Sequence, residues 1–472
     1  MRRAWLAEAV RAADGGRGLT RAWCSLAVAV GVTVLVAVAA MAQEAPRVSA
    51  DTAGTPADAG ALFDAVVERI GKSFWDKELI ASSGWERRAA EVRPNVLAAP
   101  TREAAAGRIN ALLAELKTSH TGLFTPDDVE YYILLDVFSG SSRIRDFVAQ
   151  HFWGSGVSYA GVGLFSVKTD GRDFVDAVLE GSPADRAGIK VGDEVLSVDG
   201  MPYHPIRSFR GKIGDTVTLS LRRAAEAAPQ AITVEVVSIA PLRAFRDATT
   251  ASARVIERDG RRIGYVHVWA SVGDNSTDAL REALDSLNGD KDQDHRDGKR
   301  HAATPQLDGV IIDMRGKIGG TGQNAARYLD LIDPRGPLMR SRNKDGKDHS
   351  RDSLRGRTAV LIDQHTRSTG ELFVHAYKRE RQGPLIGTHT AGAVSAAAAY
   401  VMPGGDLLYL AVTGLEIDGE ILEGPGVAPD IEVARPLPYA NGADPVLEAG
   451  IDTLVRRAQA PPPAANVPNR SN

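Results

Sequence analysis

The sequence predicts an α/β protein: a sheet of buried strands covered by helices, preceded by a β-rich module and, before that, a small helical segment. Three observations predict it. Short β-branched apolar runs at Ile263 to Trp269, Gly309 to Met314 and Ala359 to Asp363 are separated by helical stretches, Asp278 to Leu287 and Asn324 to Ile332. That is the pattern of strands buried on both faces. Ahead of them, about 80 residues carry short strands with glycines at the turns, which suits a compact β-rich module. Earlier still, Leu62, Phe63, Val66, Val67, Ile70 and Phe74 recur at helical spacing. A chain of 472 residues is long enough for two or three such units.

Taken in order, the first unit is a leader. Arg2, Arg3, Arg11, Arg17 and Arg21 precede an apolar run from Ala27 to Ala40, followed by Met41-Ala42-Gln43. A basic start, a short apolar stretch and a small-x-small site describe a secretory signal over residues 1–42, cleaved after Ala42. The alternative is a retained anchor, although about 14 apolar residues fall short of the roughly 20 that span a bilayer. The expected location is outside the cytoplasm, periplasmic or secreted. The one cysteine, Cys24, lies inside this leader. The rest of the chain therefore has no thiol, which excludes a cysteine nucleophile, a zinc–thiolate site and a disulfide. The net charge is -4 with no basic stripe, so no nucleic-acid partner is expected.

Residues 43–60 read as a flexible lead-in. Residues 61–150 form the helical unit, its second helical pattern running from Thr101 as N-cap through Ile109, Leu112, Leu113 and Leu116. Residues 151–240 form the β-rich module and residues 241–435 the α/β part, where Ala399 to Met402 and Leu407 to Val412 add strands. Residues 436–472 carry one short helix and a disordered end. In the charged stretch Asp290 to Arg300, His295 stands where a calcium loop needs Gly and His301 where it needs Glu. It reads as a solvated loop. No His pair has the helical spacing with a Glu that a zinc peptidase uses, and neither metal nor cofactor is expected.

Ser368 is the candidate nucleophile. It follows a buried strand and a polar turn, and it starts a helix containing Leu372, Phe373 and Ala376. A hydroxyl there sits among unpaired backbone N–H groups at the positive end of the helix dipole. The next amide, that of Thr369, can face a developing oxyanion. The same residues, Ser368-x-x-Glu371, also describe a capping box, and the local pattern does not choose between the two. Gly319-Gly320 ends the strand Gly309 to Met314 in a turn without side chains. Its amides can approach a carbonyl, although an ordinary tight turn reads the same way.

Two segments carry a resemblance. Asp308 to Gly320 (DGVIIDMRGKIGG) and Thr366 to Glu371 (TRSTGE) resemble the strand-and-turn and the nucleophile segments of the tail-specific, or C-terminal processing, serine peptidases. The likeness covers about residues 60 to 435. It implies a crotonase-like α/β peptidase core, an inserted PDZ domain at 151–240 and a helical N-terminal domain. Gly161, Gly163, Leu164 and Phe165 look like the PDZ carboxylate-binding loop, in which a peptide adds as a strand; a packing module that gates the site is the other reading.

A serine needs a base. Where the better-known bacterial branch has its lysine, this sequence has Ala393, and Lys378 lies ten residues along the Ser368 helix, about 15 Å away. Lys117-Thr118-Ser119-His120-Thr121-Gly122 and Leu422 to Asp430 (LEGPGVAPD) instead resemble the tricorn-like and retinoid-binding-repeat branch. That likeness implies His120 as base, oriented by Ser119 and Glu423. The expectation is an exported serine endopeptidase forming an acyl-enzyme on Ser368, with amides of Thr369 and Gly319 or Gly320 as the oxyanion hole. Its partners would be protein or peptide substrates, some engaged through a free C-terminus. The rivals are a binding protein of the same fold without chemistry, and a Ser–Lys enzyme using Lys317.

Overall fold

The computed structural model describes residues 56–152, 156–287, 306–316, 318–333 and 354–459. The leader 1–42, residues 43–55 of the lead-in, Lys317, the charged stretch 290–300, His301 and the tail beyond 459 lie outside the described residues. No described helix is long and apolar enough to cross a membrane.

The helical unit comprises Pro56–Ser73, Lys77–Ser82, Trp85–Leu97 and Arg102–Ala114. Caps fix two starts: the Asp76 carboxylate accepts from the Leu79 amide, and the Thr101 hydroxyl oxygen accepts from the Ala104 amide. The apolar stripe read from the sequence, Leu62 through Phe74, buries against Ile109, Leu112, Leu113 and Leu116. After His120 comes a three-residue strand, β1 (Gly122–Phe124), then the helices Val129–Val137 and Ser142–His151.

The β-rich module contains β2 (Tyr159–Gly161), β3 (Leu164–Thr169), β4 (Arg172–Val178), β5 (Glu194–Val198), β6 (Met201–Pro202), β7 (Thr216–Arg222), β8 (Gln230–Glu235) and β9 (Val237–Ile239). Its sheet runs β3-β4-β5-β7-β8 with β6 on β5, while β2 and β9 pair separately. β3 is an edge strand and leaves one side of its ladder unpaired. A peptide adds at such an edge.

The α/β part opens with the helix Pro241–Ser252, then β10 (Arg254–Arg258), β11 (Arg261–His267), β12 (Gly309–Asp313), β13 (Thr358–Ile362) and β14 (Leu385–Gly387). A ribbon of β15 (Ala396–Val401) and β16 (Leu407–Thr413) precedes β17 (Ile431–Glu432). The sheet order is β10-β11-β12-β13-β14-β17, antiparallel at β10–β11 and parallel beyond. Alternation explains why the strands read as unbroken apolar runs. Val310, Ile312, Val360 and Ile362 face the helices Gly273–Leu287, Gly322–Ile332 and Thr369–Arg379. Ile311, Ala359 and Leu361 face the helix Pro445–Gln459 on the other side.

The ribbon departs from the sequence expectation, because β15 and β16 do not extend this sheet. β1, β16 and β15 form a sheet of their own, with Gly122 opposite Tyr409 and Phe124 opposite Leu407. Met402, Leu408, Leu410 and Ala411 complete the core of the helical unit. That unit therefore closes only with residues contributed nearly 300 positions later. Arg102 binds the buried Asp406 at the ribbon turn (2.8 Å) and the Gly404 carbonyl.

Candidate active site

Parallel strands deliver their following loops to one end of the sheet, and that is where the candidate residues meet. The loop after β13 places Ser368 as N-cap of Thr369–Arg379 with φ 54° and ψ -121°. The other hydroxyl residues at N-caps, Thr101, Ser141, Ser182 and Thr321, have ordinary extended backbones. A non-glycine residue in this region costs about 1–3 kcal/mol and persists only where its surroundings impose it. The surroundings are visible: the Ser368 amide donates to the Ala393 carbonyl (2.8 Å) and to Glu371 Oε2 (3.1 Å). The Glu371 amide donates to Ser368's carbonyl at 2.8 Å, and Ser368 and Glu371 form the capping box the sequence offered.

Glu371 is fully buried and organises the facing loop. Its carboxylate accepts from the Thr390 hydroxyl (2.6 Å) and from the amides of Gly392 and Ala393 (2.7 Å each). Burial pushes its carboxyl up, against the pull of these donors. Ala393, the position of the absent lysine, is buried and presents its carbonyl to the Ser368 amide. Lys378 is committed elsewhere, to the Ala428 carbonyl (2.7 Å) and Asp430 (3.1 Å).

The turn after β12 meets the same serine. A Cβ on Gly319 would fall 2.3 Å from Ser368 Cβ and 2.8 Å from its Oγ, so only glycine permits this approach. Ser271 pins the turn, its amide donating to Gly319 O (3.0 Å) and its carbonyl accepting from Thr321 (3.1 Å). The amides of Gly319, Gly320 and Thr369 have no acceptor among the described residues. Asp313 and Arg315 of the resembled motif lie behind this turn. Arg315 forks onto Asp313 (2.6 Å) and Asp444 (2.7 Å), locking the strand end to the C-terminal helix.

Ser119, His120 and Glu423 come together although 304 residues separate Ser119 from Glu423. Ser119 Oγ lies 2.7 Å from His120 Nδ1 and donates to Glu423 Oε2 at 3.1 Å, while the Ser119 amide donates to Glu423 Oε1 at 2.8 Å. Val394 and Ser395 amides also donate to Glu423 Oε2, at 3.0 and 2.9 Å. Burial opposes the charge of Glu423, but these donors outweigh it and hold its carboxyl below the usual range. A carboxylate only accepts, so Ser119 must donate to it, and His120 Nδ1–H must then donate to Ser119. That leaves Nε2 as an acceptor, the form a base requires. Burial, reinforced by the charge of Arg367 and opposed by Glu423, pushes the imidazole down to about 4. It is neutral at neutral pH.

The segment 393–395 joins the two halves: Ala393 holds the Ser368 amide, and the next two residues hold Glu423. Gly392, at φ 61°, lets this segment lie against Gly424, where a Cβ would fall 2.2 Å from the carbonyl oxygen. Among the described residues no hydrogen bond joins His120 to Ser368. In the β-rich module, Gly163 packs on Ser182 at φ 88°, and Gly161 ends β2. Leu164 is buried in the module's own core. The Phe165 ring stacks on Phe245 (6.0 Å) and lies 6.0 Å from Trp269, a packing contact with the α/β part. Glu180 continues that contact, bonding His267 Nδ1 (2.9 Å) and Trp269 Nε1 (2.6 Å) at the end of β11.

Comparison with known proteins defines the class first. Residues 262–433 match peptidase family S41, and residues 174–223 match a PDZ domain. The α/β part is thus similar to that family, and the β-rich module is similar to a PDZ domain. Among curated relatives, the carboxy-terminal processing protease CtpA of Bacillus subtilis is 28% identical over 64% of this chain and 63% of its own length. A tricorn protease homolog of Streptomyces coelicolor is 25% identical over 87% of this chain and 34% of its own length. The chain thus spans less than two thirds of either relative. Among solved structures, the photosystem II D1 C-terminal processing protease aligns over 82% of this chain and 98% of its own, with a TM-score of 0.45 and 19% identity. The tricorn protease aligns over 86% of this chain and 37% of its own, with a TM-score of 0.48 and 16% identity.

Proposed function

We propose that this chain is an exported serine endopeptidase that cleaves protein or peptide substrates through an acyl-enzyme on Ser368. The observation that carries the reading is the hydrogen-bonded chain His120–Ser119–Glu423, tied through residues 393–395 to a serine held at φ 54°. In this reading His120 Nε2 takes the Ser368 proton as Oγ attacks the scissile carbonyl, and the imidazolium leans on Ser119 and Glu423. The amides of Thr369 and of Gly319 or Gly320 receive the oxyanion. His120 then returns the proton to the departing amine, and a water deprotonated by His120 hydrolyses the ester. The base must close onto Ser368 for the first step, and such bonds tighten when substrate is bound. The edge of β3 captures the substrate chain.

A fluorophosphonate probe tests the chemistry: wild type labels and hydrolyses peptides, Ser368→Ala does neither, and His120→Ala labels at least 100-fold more slowly. Peptidase activity surviving in Ser368→Ala would sink the reading. The missing His120–Ser368 bond favours a second reading, a peptide-binding chain without chemistry; wild type that binds peptides yet never labels would establish it. Export rests on the basic-apolar-small pattern of residues 1–42, and N-terminal sequencing of the exported protein should begin at Gln43.

A further inference from the structure

We infer that Arg367, with Tyr409 beside it, sets the specificity of the cleft by receiving a carboxylate carried by the substrate close to the scissile bond. The inference rests on Ser368 being the nucleophile. Arg367 immediately precedes that serine, and its backbone is fixed: its carbonyl accepts from the Gly370 amide (3.0 Å) and lies 3.1 Å from where a Gly319 Cβ would stand. The side chain therefore leaves from a pinned point beside the oxyanion turn. It is half-buried, and its charge is felt by both His120 and the Tyr409 phenol.

What the guanidinium lacks is an acceptor. Elsewhere Arg315 is held by Asp313 and Asp444, Arg102 by Asp406 and Arg210 by Asp127. The Arg367 guanidinium has no hydrogen bond, ion pair or ring partner among the described residues. Tyr409 stands in the same position. Its ring packs 5.3 Å from His120 and 5.9 Å from Phe138, while its hydroxyl has no described partner. The carboxylate of this site, Glu423, is already taken by Ser119, Val394 and Ser395. The wall beside Ser368 thus offers donors without a described carboxylate to receive them, and a half-buried guanidinium left unpaired is costly. A carboxylate matches its fork in a way that a neutral amide does not. The carboxylate comes either from the chain terminus or from an Asp or Glu side chain.

Paired quenched peptides test this. One pair differs only in a free or amidated C-terminus; the others carry Glu or Gln at each position flanking the cleaved bond. In wild type, at least one carboxylate peptide should exceed its neutral twin about tenfold or more in kcat/KM, the scale of a hydrogen bond to a charged group. Which pair shows it identifies the source. Arg367→Gln should bring that ratio to about one, and Arg367→Lys should restore part of it. A purely structural role would lower both twins together and keep the ratio. Ratios near one in every wild-type pair, or a ratio that survives Arg367→Gln, overturn the inference. Fluorescence polarisation of the same pairs on Ser368→Ala, with and without Arg367→Gln, separates it from the nucleophile assignment. Twins discriminated there through Arg367 uphold it whatever Ser368 does, and twins bound equally reject it.

Discussion

Gly319 and Ser368 share a space in which no second methyl group fits. Gly319→Ala must push the serine hydroxyl or the turn amides aside, since the contact falls at 2.3 Å on Ser368 Cβ. Displacements of this size around a reacting atom cost about 100-fold. The variant should keep its circular dichroism and lose at least that much kcat; a kcat within threefold of wild type would mean the turn is not part of the site. His120 makes a sharper claim. In the proposed mechanism its neutral form is the base, so acid would inactivate by protonating it. With the imidazole pushed down to about 4 by burial and Arg367, activity should hold from pH 7 to about 5 and halve near 4. An ordinary histidine would halve near 6.5, and an acid limb there would show that the ring is solvated in the working enzyme. Glu423→Gln removes charge and leaves at most one oxygen for four donors, so kcat should fall about 10- to 100-fold with KM little changed. Ser368 had a local signal, but Ser119, His120 and Glu423 were reachable from the sequence only through a family likeness. No spacing rule connects Ser119 to a glutamate 304 residues away. Arg367 had no signal at all, since one arginine in a polar turn reads as solvated surface.

The loop 390–395 is built around Glu371. Its buried carboxylate satisfies Thr390, Gly392, Ala393 and Ser368. Glu371→Ala strands these donors in the interior at about 1–3 kcal/mol each, so stability should drop by about 3 kcal/mol or more in urea unfolding. A loss below 1 kcal/mol would mean the loop holds itself. The sequence reading saw Ser368-x-x-Glu371 as either a cap or a nucleophile. The structure has Glu371 reaching both ways, to the helix start and to the loop opposite. The core strands were legible because their alternate residues enter two apolar layers, leaving no polar side chain to break the run. The ribbon was not. β15 and β16 are also apolar and β-branched or aromatic in part, and nothing local tells a strand which sheet to join. Its partner β1 is three residues long, too short for a period to be seen.

Across the molecule, the helical unit is completed by the ribbon, and the link at Arg102 and Asp406 is where the two meet. Asp406 is 1% exposed and Arg102 28%. Arg102→Ala leaves a buried carboxylate without its cation, at the low end of the roughly 3–5 kcal/mol for broken buried pairs. Calorimetry should show the whole 56–459 body melting earlier; a separate early transition for the helical unit alone would mean it folds independently of the ribbon. The shared sheet also has a consequence in time. During synthesis the serine and the histidine leave the ribosome well before Glu423 and before the strand that seats β1. On the proposed reading, a growing chain carries His120 and Ser368 before Glu423 and the ribbon exist to position them, so peptidase activity would begin only once the fold is complete.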